Sequence, residues 1–261
     1  LLPKARRSGN RLNGDDAMMS GIYTATSGLM AQMAKMEVLS QNLANAGTPG
    51  FKGEFQSIEG GGDRGPLQSA FLTEGPQADP RPVRVGRRVT DFGPGVIRPT
   101  ENPMDLANSG SGYFVVETPR GARYTRAGNF AVGANGQLQT LDGDAVQGKK
   151  GAIQIPDRQF SVDSNGLILV KGQEIDRLRI VDPDPASLMR EGGSLFALKP
   201  SAQEPPTAKK AEIRQGFLEG SNVDAATALM QIMVSLRGAE AYQKSINALD
   251  QILSQTAGEL G

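Results

Sequence analysis

The chain has no cysteine and no histidine in 261 residues. Without cysteine there is no disulfide and no thiolate metal site, and an unfolded chain can pass from a reducing to an oxidising compartment without mispairing. Without histidine there is no ordinary neutral-pH general base, no ordinary zinc ligand and no Ser-His or Cys-His nucleophile, which leaves carboxylate, Lys, Tyr or Arg chemistry. Net charge is missing as well. The 28 basic residues balance 28 acidic ones, so no global field recruits nucleic acid or acidic lipid. No apolar run approaches the ~20 residues of a membrane span. The basic start (Lys4, Arg6, Arg7, Arg11) leads into Asn, Gly and Asp rather than an apolar stretch, so no cleavable signal peptide is expected. A hydrophobic content of 38% is adequate for one large or two modest domains.

What is present is concentrated at the two ends. Ile22, Leu29, Met36 and Leu43 recur at heptad spacing with Ala25 and Leu39 offset between them, the pattern of a helix with one narrow apolar seam. Near the C-terminus Leu229, Ile232, Leu236, Ala239, Tyr242, Ile246, Leu249 and Leu253 step by three and four residues. The first helix is expected from Ser20 to Ala46, ended by Asn45, Gly47, Pro49 and Gly50. The last is expected to be capped by Ser221 or Asn222 and to run to about Gln255. Both are sparsely charged: only Lys35 and Glu37 over the first, and Asp224, Arg237, Glu240, Lys244 and Asp250 over the second. Such helices are suited to being surrounded by other helices, where small uncharged side chains allow close approach without burying unpaired charge. Gly28 and Gly238 each cost about 1 kcal/mol relative to Ala inside a helix, which points to a close crossing.

The middle reads as short strands and turns. Residues 112–117, 122–126 and 166–170 are apolar runs bounded by Gly, Pro or Asn. Asn135-Gly136 and Asn165-Gly166 are hairpin dipeptides for which a type I′ turn is expected. The expected organisation is an extension over 1–18, flexible ahead of a start at Met19 or a disordered tail; helix and elbow over 19–52; a connector over 53–78; an all-β domain over 79–215; and the C-terminal helix over 216–261. The expected fold is thus a mainly β central domain whose long terminal α-helices pair as a coiled-coil-like bundle.

Asn42, Asn45, Thr48, Gly50, Phe51 and Lys52, following a heptad helix, resemble the N-terminal signature of the flagellar basal-body rod and hook proteins. The tripeptide Ser27–Leu29, the block from Asn102 through Tyr124, Arg126, Gly128 and Phe130, and the segment Gly216–Asp224 resemble the same family. Asp91–Gly95 leading to Thr100–Pro103 is most like the proximal rod subunit, with the distal rod subunit as near neighbour. One departure is Arg237–Glu240, where an aromatic common in the family is absent and Tyr242 is placed to supply the packing.

The resemblance implies a structural, non-enzymatic subunit of the bacterial flagellar rod. Its seam helices (Ile22, Leu29, Met36, Leu39, Leu43; Leu229, Ile232, Leu236, Tyr242, Ile246, Leu249, Leu253) would bundle with those of neighbouring copies. The subunit would be exported unfolded through the flagellum's own channel into the periplasmic rod, with other rod subunits, itself and the export apparatus as partners. No catalytic, cofactor or metal residues, no nucleic acid and no membrane span are expected. The motif from Asn42 to Lys52 is read as a rigid elbow. Rival readings are a distal rod or hook-type protein, a free-standing coiled-coil adaptor, and a carboxylate glycosidase acting on peptidoglycan. For the last, Asp142/Asp144 and Asp182/Asp184 sit in turns and read as turn formers. Arg81, Arg84, Arg87 and Arg88 form a basic cluster without interleaved aromatics, read as a solvated or subunit-facing strand.

Overall fold

The computed structural model describes residues 14–59, 83–156 and 160–259. These residues are mostly β, with two α-helices, α1 (Gly14–Ala44) and α2 (Ala225–Glu259). They fall into two compact units. One holds α1 to Ser40, the strands between Glu54 and Val89, and α2 from Leu229; the other holds Gln41–Gly53 and Thr90–Ala228. Of the extension expected over 1–18, residues 1–13 lie outside the described residues, as does the expected connector from residue 60 onward.

The second unit is the β body. Strand Tyr113–Thr118 is central to its largest sheet, pairing antiparallel with Gly121–Thr125, Ala145–Val146 and Ile180–Val181. Its alternation explains its continuous apolar run. Phe114 and Val116 enter one core with Leu106, Phe130, Leu138, Ile153 and Ile168, while Tyr113 and Val115 enter another with Tyr124, Leu188 and Phe196. A strand buried on both faces has no polar side to show. The hairpin dipeptides do mark turns, but not type I′ turns. Gly136 and Gly166 have φ of 75° and 77°, whereas neither Asn135 nor Asn165 is left-handed. In the second turn Asp163 Oδ1 instead accepts from the N–H groups of Asn165 (2.9 Å) and Leu167 (2.7 Å), closing a longer loop between antiparallel strands Phe160–Val162 and Leu167–Val170.

In the first unit α1 and α2 pack on each other, but the expected coiled-coil-like bundle is not what forms. A coiled coil interlocks large side chains from both helices. Here the buried positions are mostly small, Ala25, Gly28 and Ala31 on α1 and Ala228, Ser235 and Ala239 on α2, with Val38 and Leu39 the large apolar exceptions near the end of α1. A Cβ placed on Gly28 would lie 2.5 Å from the Tyr242 ring, one on Gly238 3.3 Å from Gln32, and one on Gly21 3.5 Å from Leu249. The contact is therefore a close crossing in which Tyr242 fills the space left by a glycine. Leu229 and Leu236, expected in the seam, are exposed instead. Heptad spacing alone could not separate the face that meets the partner helix from the face beside it, because both carry apolar residues.

Gly28→Ala sets a helix-propensity gain of about 1 kcal/mol against an overpacking cost of about 1 to 3 kcal/mol. A net loosening of the helix pair is expected, read as faster amide hydrogen exchange around residues 24–32. Slower exchange would show that the Tyr242 ring swings aside without cost.

Strand Arg84–Thr90 pairs with Glu54–Glu59. Arg84, Arg87 and Arg88 are exposed on it, and Arg88 reaches Glu37 of α1 at 2.6 Å. Arg81 lies outside the described residues.

Candidate functional site

The elbow begins where α1 loses its ladder. Asn45 Nδ2 donates to the Gln41 carbonyl at 2.8 Å and Thr48 Oγ1 donates to Asn45 Oδ1 at 3.2 Å, so side chains take over at the helix end. Asn42 is buried. Gly50 has φ of 65°, and a Cβ there would lie 2.1 Å from the Ala127 nitrogen; only glycine fits so close to another backbone. Its N–H donates to the Glu219 carbonyl at 2.8 Å. Phe51 follows, fully buried, with the Arg190 guanidinium 4.6 Å above its ring. The same guanidinium sits 5.2 Å from the Phe196 ring and donates to the Lys52 carbonyl. Arg190 thus clamps the elbow onto the body core.

Phe51→Ala is expected to cost about 3 kcal/mol, since it empties a buried site and removes one stacking partner of Arg190. Urea unfolding of the body measures it, and a loss below about 1 kcal/mol would mean the pocket collapses without Phe51.

Lys52 is 1% exposed and fully engaged. Its Nζ donates to Glu219 Oε1 at 2.5 Å and to the Gly93 carbonyl at 2.8 Å. Glu219 is equally buried. Its Oε1 also accepts from Gly95 N–H at 3.0 Å, and its Oε2 accepts from Arg126 Nη1 at 3.3 Å. That Nη1 also donates to the Asn108 carbonyl at 2.8 Å, and the guanidinium lies 5.2 Å from the Tyr113 ring. Burial holds the Lys52 ammonium below its ordinary pKa, against the opposing effect of the hydrogen bond it donates to Glu219. Burial likewise pushes the Tyr113 phenol up to about 12, against Arg126. Asn222 closes the surrounding backbone: Oδ1 accepts from Gly53 N–H at 2.7 Å and Nδ2 donates to the Asp91 carbonyl at 2.9 Å. It is Asp224, not Ser221 or Asn222, that caps α2, accepting from Thr227 N–H at 2.7 Å.

The chemistry of this arrangement is cohesive. An adjoining cleft of about 410 Å³ is lined by Ala46, Pro49, Val96, Arg98 and the carboxylates Glu219 and Asp224. Both carboxylates are already engaged, Glu219 by two cations and Asp224 by its cap. Of the Asp pairs weighed in the sequence, Asp184 caps the short turn Pro185–Ser187 by accepting from Ala186 N–H at 3.0 Å.

Three family models match successive parts of the chain. The flagella basal body rod protein model covers residues 22–52, the flagellar hook protein FlgE/F/G D1 domain covers 107–170, and the flagellar basal body rod FlgEFG C-terminal model covers 214–259. The chain is 31% identical over 269 residues to the flagellar basal-body rod protein FlgG of Caulobacter vibrioides, covering 92% of this chain and 98% of that one. It is 31% identical over 250 residues to the flagellar basal-body rod protein FlgF of Salmonella typhimurium, covering 90% and 95%. With FlgF of Escherichia coli the identity is 30% over 252 residues, covering 89% and 95%. The chain belongs to the flagellar basal-body rod protein family. It is a structural subunit of the flagellar basal-body rod.

Each matched part of this rod protein contributes one charge to the buried network: Lys52 from the first, Arg126 from the second, Glu219 from the third. The elbow residues Asn42, Asn45, Thr48, Gly50, Phe51 and Lys52 lie together on the body. The helix residues named from the sequence do not share one surface. Leu39 is buried; Ile22, Leu29, Met36, Leu43, Ile232, Tyr242, Ile246 and Leu249 are partly buried; Leu229 and Leu236 are exposed. The side chain of Leu253 lies outside the described residues. Sequence reasoning missed Glu219, Arg126 and Arg190 as partners of the elbow. The available signal was a charged residue set inside each motif beside glycine or an apolar neighbour, where solvation alone gives no reason for it.

Proposed function

We propose that this rod subunit is non-enzymatic and polymerises through the outer faces of α1 and α2. One observation carries the reading. On the sides away from their crossing both helices expose large apolar side chains, Tyr23, Met30 and Met33 on α1 and Leu229, Met230, Met233, Val234 and Leu236 on α2. A helix with apolar residues on two faces is incompletely satisfied by one partner. The partners are further copies of this chain and other rod subunits in the basal body. The buried network is the mount that holds the elbow residues on the β body. The engagement of Glu219 and Asp224 supports the absence of catalysis. Among the described residues no helix is long and apolar enough to cross a membrane. Export through the flagellar channel into the periplasmic rod is supported by a chain without cysteine.

The proximal rod is the proposed position, on the resemblance of Asp91–Gly95 and Thr100–Pro103; the distal rod is the second reading, favoured by the match to the Caulobacter protein. Purified basal bodies carrying photocrosslinkers at Met33 and Val234 test both. Crosslinks to itself and to neighbouring rod subunits are expected, and the neighbour captured distinguishes proximal from distal. Absence of the chain from basal bodies, or crosslinks confined to its own two helices, would overturn the polymer reading. A turnover assay on peptidoglycan tests the glycosidase alternative.

A further inference from the structure

The chain holds nine methionines and neither cysteine nor tryptophan. Thioether sulfur is therefore the side-chain group open to two-electron oxidants such as peroxides. Four of these methionines form two pairs at i and i+3, Met30 with Met33 on α1 and Met230 with Met233 on α2, which places each pair on one helix face. All four are between 54% and 61% exposed. Both pairs lie within the apolar faces left open by the helix crossing. Met104 is packed against the body core and Met36 is partly buried, whereas Met189 is exposed on the body strand Leu188–Gly192.

We propose that Met30, Met33, Met230 and Met233 are an oxidation site that gates incorporation of the free subunit. The inference rests on the assembly role proposed for these faces. In each step hydrogen peroxide transfers one oxygen atom to the thioether sulfur. The sulfur loses two electrons and becomes a sulfoxide, and the peroxide leaves as water. A flexible apolar side chain thereby becomes a polar one with a strong acceptor oxygen. In a helix-lined interface that oxygen must give up its water while the helical N–H groups are already paired and the exposed neighbours Leu229, Val234 and Leu236 offer no donor, which leaves Thr227 and Arg237 as the exposed donors beside the α2 pair. Exposed in the free subunit, the four sulfurs react readily. Covered in a polymer, they are protected. Oxidation would then discriminate between an undelivered subunit and one already in place, and reductases acting on methionine sulfoxide would reverse it.

The test uses the full chain. Purified protein is treated with hydrogen peroxide and its sulfoxides are mapped by peptide mass spectrometry. Faster oxidation at the four helix positions than at Met36 and Met104 is expected; slower oxidation would overturn the proposal. In parallel, two variants are expressed in cells lacking the native copy, M30Q/M33Q/M230Q/M233Q as a sulfoxide mimic and M30L/M33L/M230L/M233L as a non-oxidisable apolar control. The Gln variant is expected to enter basal bodies about tenfold less than wild type, with the Leu variant close to wild type. Thermal unfolding of the β body should be unchanged in both. Normal incorporation of the Gln variant, or equal loss in both, overturns the gating. Leu236→Asp separates the two ideas: if it blocks incorporation while the Gln variant does not, only the oxidation site fails, and if neither blocks it the assembly face itself fails.

Discussion

Glu219→Ala is expected to destabilise the β body by about 5 kcal/mol, the upper end for removing one partner of a buried ion pair. The size follows from what is stranded. Lys52 loses its 2.5 Å partner, Arg126 loses its 3.3 Å partner, and the Gly95 N–H loses its acceptor. Two cations are then left close together with no counter-charge in an interior where burial already disfavours the Lys52 ammonium. Since whole domains are stable by only about 5 to 15 kcal/mol, a largely unfolded body at 37 °C is a realistic outcome. Lys52→Met in the same background removes one stranded charge and should recover part of the loss, giving a coupling of about 2 to 3 kcal/mol in a double-mutant cycle. Urea unfolding followed by circular dichroism supplies the numbers. A loss for Glu219→Ala below about 1 kcal/mol would mean that water reaches these charges and that the elbow is held by Phe51 and backbone bonds alone.

Leu236→Asp is expected to abolish entry into the rod while leaving the β body folded. Leu236 is 49% exposed on α2, so in the free subunit a carboxylate there stays in water and costs little. Once a neighbouring copy covers that face, the carboxylate must be desolvated or protonated at a cost of several kcal/mol, repeated in every subunit of the polymer. The comparison is between basal-body content and motility on one side and thermal unfolding of the purified chain on the other. Incorporation at the wild-type level would falsify the role given to this face. Ile246→Asp is a useful contrast. Ile246 is partly buried on the α1-facing side of α2, so its replacement should loosen the helix pair itself as well as block assembly.

Much of the architecture was legible because its signals are local. Helical periodicity near both termini, the breakers Asn45 to Gly50, and Gly- and Asn-bounded apolar runs each act within a few residues of where they sit. So a helix stands near each end and the middle is β, although α1 begins at Gly14, inside the expected extension, and stops at Ala44, and α2 runs on to Glu259. Errors arose where a local signal was compatible with several distant outcomes. Asn-Gly marks a turn, but Asp163 decided its type by offering its carboxylate to two N–H groups. Ser221 and Asn222 were the expected caps of α2, but Asn222 is committed to Gly53 and Asp91 and Asp224 took the role.

The amino-acid sequence by itself determined that two sparsely charged helices flank a β body, that no thiol or imidazole chemistry is available, and which short motifs mark the family. Only the tertiary structure decided how these parts meet. It placed Lys52 against Glu219 across 167 positions of chain, set Arg126 and Arg190 around them, and fitted Tyr242 onto Gly28 where a coiled-coil seam was expected. The reason is physical. Helix and turn signals depend on neighbours in the chain, whereas ion pairing, close crossings and the choice between two apolar faces depend on which distant surfaces the fold brings together, and on what is left uncovered when it has.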